Sequence, residues 1–374
     1  MLYLIRFGDH KSERLNAAIE YAFASLSVNE YSLVTSPDEL LTLIDELNES
    51  KENIPAFLFA AALPEDGFAP SWQRLMAKLS LKEGALDGAI GGLVVDGEGE
   101  LYTKDFARHL VFSCNRAGIR FPGKPLVEAT GSLYNFSTSA MIRGTDKLGA
   151  YRESVRELVE KILLKSKPSY TDAAAEPSEK AGKKNIVMIH ASNKATSNTL
   201  MLWDMVKTEI LEKTEDVDIN EISIRNGEVV DCRGCDFEAC RHFGEQGDCF
   251  YGGLVVDRVY PAVLSCDALV LACPNYNDAV SANMMAVFNR LTALFYNNDF
   301  SEKKIYALIV SGYSGGDIVA RQIIGAMNLN KGFDLPPRFA LLATANSPGS
   351  IAETPEIEKQ AKDMAERIIM SIGN

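Results

Sequence analysis

A chain of 374 residues, 47% of them hydrophobic, is long enough for two domains with a core in each. Its formal net charge of -13 argues against a nucleic-acid or anionic-membrane partner, and no apolar run approaches the length of a membrane span. The opening MLYLIRFGDHKSE lacks the basic start and long apolar stretch of a secretion signal, and there are seven cysteines, so the expectation is a reducing, cytoplasmic setting with thiolate chemistry rather than disulfides.

The chain then reads as alternating strands and helices. Leu2 to Ile5 predicts a first strand and Glu13 to Leu26 a helix, with Leu15, Ala18, Ile19, Ala22 and Phe23 on one face. Glu30 to Thr35 is a short strand and Asp38 to Leu47 a helix. Ile54 to Ala61 is a strongly apolar strand, followed by a helix from Trp72 to Leu79. Ala89 to Val95 is another buried strand, Phe106 to Ala117 a helix, Leu126 to Thr130 a short strand and Leu148 to Lys165 a closing amphipathic helix. Residues 167–183, KPSYTDAAAEPSEKAGK, lack apolar periodicity and read as an interdomain linker.

From Lys184 the order begins again. Strands are expected at Asn185–Ile189, Asp218–Ile224, Ala268–Ala272, Lys304–Val310 and Phe339–Thr344. Helices are expected at Leu200–Leu211, Val256–Leu264, Ala282–Phe295, Ile318–Met327 and Pro355–Ile372. Local pairings point to an internal duplication. Gly118-Ile119-Arg120-Phe121-Pro122 matches Gly332-Phe333-Asp334-Leu335-Pro336, and Ala129-Thr130 matches Ala343-Thr344 at the same offset. The predicted class is α/β: two tandem three-layer α/β/α domains, 1–166 and 184–374, each with a parallel sheet, and the second carrying a cysteine-rich insert at 228–255.

Three loops of the second copy should meet at the carboxyl edge of its sheet, where open α/β sheets bind ligands. Ser192, Lys194, Thr196, Ser197, Asn198 and Thr199 lie between a strand and a helix start. Free N–H groups, the helix dipole, hydroxyls and one lysine suit a single phosphate there; the alternative is a plain N-cap cluster. No G-x-x-x-x-G-K-[ST] and no G-x-G-x-x-G is present. Pro274, Asn275, Tyr276 and Asn277 follow the strand Ala268–Ala272. Ser311, Gly312, Tyr313, Ser314, Gly315 and Gly316 follow the one after. Together the loops offer a phosphate pocket and room for a flat heteroaromatic ring.

These residues resemble the flavodoxin-like NAD(P)H-dependent FMN reductases, and most closely their iron–sulfur flavoprotein branch. Ala191-Ser192-Asn193-Lys194-Ala195-Thr196-Ser197-Asn198-Thr199 follows that family's G-S-P-R-x-x-G/S-N-T phosphate loop, with Ala for Gly, Asn for Pro and Lys for Arg. Cys273-Pro274-Asn275-Tyr276 is similar to its S-P-x-Y ring loop, and Val287-Phe288-Asn289-Arg290 to its F-x-x-R stretch with a shorter gap. The resemblance implies FMN, its phosphate on the first loop and its ring against Pro274–Asn277 and Tyr313–Gly316. NAD(P)H would stack transiently as co-substrate, and a small-molecule acceptor such as a quinone, nitro compound, flavin or metal ion would take the electrons. The flavin then carries the chemistry, and no catalytic protein residue is expected. Tyr276 reads alternatively as a core or interface aromatic. The resemblance also admits a homodimer.

Cys232, Cys235, Cys240 and Cys249 are spaced C-x2-C-x4-C-x8-C. Four thiolates in a short, glycine-containing loop suit a [4Fe–4S] cluster; zinc is the next metal, although only one C-x-x-C knuckle is present. The iron–sulfur flavoproteins have a tighter motif here, so a loop of free thiols stays open beside the cluster. With a cluster, the alternative function is an electron carrier exchanging with a redox protein. His242 reads as a solvated loop residue, His190 as structural, and Cys114 and Cys266 as core thiols. The first copy lacks the phosphate loop, having Phe7-Gly8-Asp9-His10-Lys11-Ser12-Glu13 in its place. It also has Asp96, Glu98 and Glu100 where the third loop would be, and is expected to hold no FMN.

Overall fold

The computed structural model describes residues 1–50, 54–167, 182–225 and 229–373. Most of the expected linker, residues 168–181, and residue 228 at the start of the expected insert lie outside them. The chain divides into two compact units, Met1–Ala174 and Ala175–Asn374.

The first unit carries β1 (Leu2–Ile5), β2 (Ser32–Val34), β3 (Ala56–Leu63), β4 (Ile90–Gly97) and β5 (Leu126–Ala129), ordered β2-β1-β3-β4-β5. Every pairing is parallel. All residues of β3 and β4 are buried, which is why β3, and β4 up to Asp96, read as apolar runs rather than alternating ones. Parallel neighbours need helical crossovers, here α1 (Glu13–Ser25), α2 (Pro37–Ser50), α3 (Pro70–Leu79) and α4 (Thr103–Arg116), and α5 (Ser137–Arg143) and α6 (Lys147–Lys165) follow the last strand.

The second unit carries β6 (Lys184–His190), β7 (Val217–Ser223), β8 (Ala268–Pro274), β9 (Lys304–Ser311) and β10 (Ala340–Thr344), ordered β10-β9-β8-β6-β7. Its pairings are also parallel. Numbered within each unit, both sheets run 2-1-3-4-5, the flavodoxin-like doubly wound order. The helices are α7 (Asn198–Lys213), α8 (Phe237–Glu245), α9 (Tyr260–Ser265), α10 (Ala282–Arg290), α11 (Thr292–Phe295), α12 (Gly316–Ile323) and α13 (Ile357–Gly373). Trp203, 1% exposed, sits on α7 in the core. Truncating such a side chain to alanine costs about 3–5 kcal/mol.

The paired segments of the sequence occupy matching places. Arg120 bridges Ile90 and Asp334 bridges Lys304, both in parallel, and Gly118 and Gly332 just before them have positive φ of 111° and 82°. Gly118 admits no side chain, since a Cβ would stand 2.4 Å from the Asp87 nitrogen.

Differences from the expected elements have local causes. The helix expected over Val256–Leu264 is a π turn, Val255–Val259, leading into α9. Pro261 has no N–H to give and crowds the carbonyl four residues back, and a widened turn relieves both. The expected Ala282–Phe295 helix is divided at Leu291. Two helices were not expected. In α5 the large apolar residues Met141 and Ile142 are exposed, so no buried face marks it. In α8 the cysteine spacing drew attention away from a capped helix, whose Asp236 side chain accepts from the Ala239 N–H.

Candidate functional site

The carboxyl ends of β6, β8 and β9 are brought level by register, with His190 opposite Ala272 and Pro274 opposite Val310. The first loop leaves β6 and turns into α7. Ser197 caps that helix, its hydroxyl accepting the Leu200 N–H at 3.2 Å. The first N–H groups of a helix have no partner within it, so Asn198 and Thr199 present theirs at the positive end of the dipole. Ser192 is 1% exposed, yet its Oγ has no hydrogen-bond partner among the described residues. A buried hydroxyl without a partner costs about 1–3 kcal/mol, and an acceptor such as a phosphate oxygen would satisfy it. Lys194 and Thr196 are exposed on the same loop.

His190 is buried beneath this loop, and its Nδ1 lies 3.3 Å from the Ser192 N–H. Burial first, and then the Lys194 charge, hold its pKa below the ordinary 6.5. A neutral ring can accept that N–H, so His190 shapes the loop.

The second loop is a tight hairpin. Tyr276 and Ala279 exchange backbone hydrogen bonds, with Asn277 and Asp278 at positive φ of 51° and 59° between them. Asn and Asp tolerate this backbone better than most residues. Tyr276 is left 51% exposed. Asn275 points the other way: its amide donates to the Ser314 carbonyl at 2.7 Å and to Ser311 Oγ at 3.3 Å. The second and third loops are thus tied together. Gly315, at φ 84°, completes the junction; a Cβ there would stand 1.9 Å from Asp278 Oδ1. Gly312 and Gly316 are half-buried, Ser311 is buried and Tyr313 is 82% exposed. Cys273, at the head of the second loop, is buried and its thiol is pushed up to about 12, which leaves no reactive thiolate there.

One part of the edge was missed in the sequence. The Asn198 side chain, expected among the phosphate donors, reaches a fourth loop after β10 instead. Its amide donates to the Ala345 and Ser347 carbonyls at 3.2 and 2.8 Å, and its Oδ1 accepts the Gly349 N–H at 2.9 Å. Only the backbone N–H of Asn198 remains for a ligand. From the fourth loop, the Asn346 amide donates to the Tyr313 hydroxyl at 3.1 Å. The first, fourth, third and second loops therefore form a linked chain. Asn346-Ser347-Pro348-Gly349 was visible as a turn, but its partner lies about 150 residues away, at separations of 147 to 151.

The four insert cysteines line one cavity of about 290 Å³, together with Arg290 and Tyr296. Cys232 and Cys235 are exposed, while Cys240 and Cys249 are half-buried. Burial raises the Cys240 pKa, and its three neighbours raise it further. Among the described residues, no three His, Cys, Asp or Glu side chains are gathered tightly enough to hold a single metal ion. The cavity wall is fixed by α8, whose Gly244 lies so close to α11 that a Cβ would meet the Ala293 carbonyl oxygen at 2.3 Å.

Residues 184–346 match the family model of NADPH-dependent FMN reductase. The match covers most of the second unit, which is similar to this oxidoreductase family. The matched reductase segment holds the first three loops and the cysteine cavity, and ends at Asn346 in the fourth loop. No curated protein matches the chain. Solved structures similar to it include an apo NADH:FMN oxidoreductase, at 19% identity and TM-score 0.35, covering 50% of this chain and 89% of that one. An NAD(P)H:quinone oxidoreductase from Methanothermobacter marburgensis is similar at 16% identity and TM-score 0.37, covering 50% and 95%. An FMN-dependent NADH-azoreductase from Bacillus anthracis, in complex with FMN, is similar at 10% identity and TM-score 0.35, covering 50% and 99%. In the described residues no helix is long and apolar enough to cross a membrane.

Proposed function

We propose that the second unit binds FMN and passes electrons from NAD(P)H to a small-molecule acceptor, such as a quinone, nitro compound, free flavin or metal ion. The observation that carries this reading is the buried, unpartnered Ser192 hydroxyl at the open N-terminus of α7. An oxygen of a bound anion would give that hydroxyl its partner. Ser192, Ser197 and Thr199, with the N–H groups of Asn198 and Thr199, would hold the phosphate, and Lys194 would add charge from the rim. Pro274–Asn277 and Tyr313–Gly316 would bound the ring, with Asn275 keeping the two loops at a fixed spacing. Bound FMN would supply the two-electron chemistry. The protein would position it and set the polarity around it, with no side chain required as general base.

A second reading is supported by the cavity that all four insert cysteines share: an iron–sulfur flavoprotein that exchanges electrons with a redox protein. A lone zinc ion sits roughly 2.3 Å from each thiolate, which demands a tight knot. Thiols spread around a cavity of about 290 Å³ suit a polynuclear group better. The first unit we read as FMN-free, serving assembly or covering a site, and residues 167–183 as the linker between the two.

The test is a titration of the full chain with FMN, followed by anaerobic addition of NADH or NADPH. Flavin uptake with bleaching by either nicotinamide supports the reductase. Uptake without bleaching moves the balance to the electron carrier, and no uptake removes both.

A further inference from the structure

Arg290 sits at the end of α10 and is 2% exposed. Its Nη1 donates to the Val230 carbonyl at 3.2 Å and its Nη2 to the Gly252 carbonyl at 2.7 Å. Those carbonyls flank the cysteine segment, one just before Cys232 and the other just after Cys249. A single guanidinium thus fastens both ends of the segment to the body of the second unit. Two further contacts hold the neck: the Asn289 amide donates to Asp231 at 3.3 Å, and the Tyr260 hydroxyl donates to the Arg290 carbonyl at 2.6 Å.

The third nitrogen of the guanidinium is unused. Arg290 Nε is buried and has no hydrogen-bond partner among the described residues, and Arg290 lines the same cavity as the four cysteines. A buried charged donor left unpaired costs more than a neutral one, so the arrangement suits an occupant that accepts a hydrogen bond and carries negative charge. Four thiolates around an iron–sulfur core form such an anion, and their sulfurs are acceptors.

We propose that Arg290 is the positioning residue of the four-cysteine cavity, closing the segment around a thiolate-ligated iron–sulfur group and offering that group its spare Nε–H. This rests on the second reading above. Hydrogen bonds to cluster sulfurs and nearby positive charge favour the reduced, more negative state. Arg290 therefore has two separable effects, on retention of the group and on its reduction potential. Lysine would keep the charge but lose the fork that reaches two carbonyls at once.

The test uses the full chain, loaded anaerobically with ferrous iron and sulfide, in wild-type form and as Arg290→Lys and Arg290→Gln. Iron, acid-labile sulfide, FMN content and midpoint potential are measured. The wild type is expected to take up iron and sulfide in equal amounts. Both variants should retain iron about 10-fold less tightly or worse, the loss typical of an outer-shell partner, with FMN content unchanged. The Gln variant should also show a lower midpoint potential than the Lys variant. A wild type that binds no iron and sulfide overturns the proposal together with the cluster reading. A wild type that binds them, with variants of equal retention and potential, overturns the role of Arg290 alone. Should both variants fail to fold, the wild type still decides. Chains carrying Arg233→Gln and Arg241→Gln, grown with 15N-arginine, should show magnetic coupling between arginine nitrogen and the reduced cluster, and its absence contradicts the proposal.

Discussion

The two units solve one problem at the carboxyl edge in opposite ways. Both have the same strand order, and in both a serine caps the helix after the first strand. Ser12 accepts the Leu15 N–H as Ser197 accepts that of Leu200. Six residues into the fourth strand, the first unit has Asp96 where the second has Val310, counted from Ile90 and Lys304, which pair equivalently with Ala56 and Ala268. Asp96 is 3% exposed. It accepts Ser12 Oγ at 3.1 Å and two Arg14 nitrogens at 2.9 and 3.0 Å. Arg14 also donates to the Gly97 and Gly131 carbonyls. The first unit thus carries its own anion against its helix start, while the second leaves an apolar valine there and a hydroxyl without a partner.

The comparison breaks most sharply if the second unit is given a fixed anion. Ser197→Asp keeps a good cap but sets a carboxylate against the phosphate. Two like charges about 4 Å apart cost about 4 kcal/mol at an effective dielectric of 20, so FMN affinity should fall by at least 100-fold. Thr199→Asp should act alike. Fluorescence titration of FMN checks both, and unchanged affinity would place the phosphate elsewhere.

Emptying the first unit is the converse change. Asp96→Ala leaves Arg14, whose side chain is 23% exposed, beside an abandoned cavity. Removing one partner of a buried pair costs about 3–5 kcal/mol, and Arg14's partial exposure sets the expectation near 3 kcal/mol. Denaturant unfolding of the full chain should register this loss, while its FMN content stays the same.

The fourth loop gives a smaller effect. Asn198→Ala removes four hydrogen bonds to residues 345–351. At about 0.5–1.5 kcal/mol each, stability should drop by about 2 kcal/mol, and FMN should bind about 10-fold more weakly as the loops loosen. Equal binding by the variant would show that the fourth loop does not support the site.

The smallest effect is a pH dependence. Burial, then Lys194, lower the His190 pKa beneath 6.5, so the unfolded chain takes up a proton more readily than the folded one. The stability His190 contributes is complete above pH 6.5 and is lost as pH falls towards its folded pKa. Unfolding midpoints measured between pH 7.5 and 5.5 should decline, and His190→Gln should flatten that decline.

Much of this was legible in the chain itself. Buried strands such as Ala56–Leu63 and residues 268–273 are written as apolar runs, and the helix cap at Ser197 is a local signal. The duplicated Gly-x-x-x-Pro segments fall on equivalent bridges because both obey the same backbone constraint after a helix. What escaped was long-range or non-periodic. Asn198 looks like a phosphate donor until its partners beyond β10 are known, and the Arg14–Asp96 pair joins residues 82 apart in sequence. Acidity at the first unit's edge was read as hostile to phosphate, but its internal partner was not visible. The α8 helix was hidden because four cysteines in a short span suggest a loop.

The central claim is that the chain has one flavin site, in its second unit. Calorimetric titration of the full chain with FMN, alongside Ser197→Asp, tests it most directly. The account predicts one FMN per chain, bound at least 100-fold more weakly by the variant. Two per chain, or one of unchanged affinity in the variant, would contradict it.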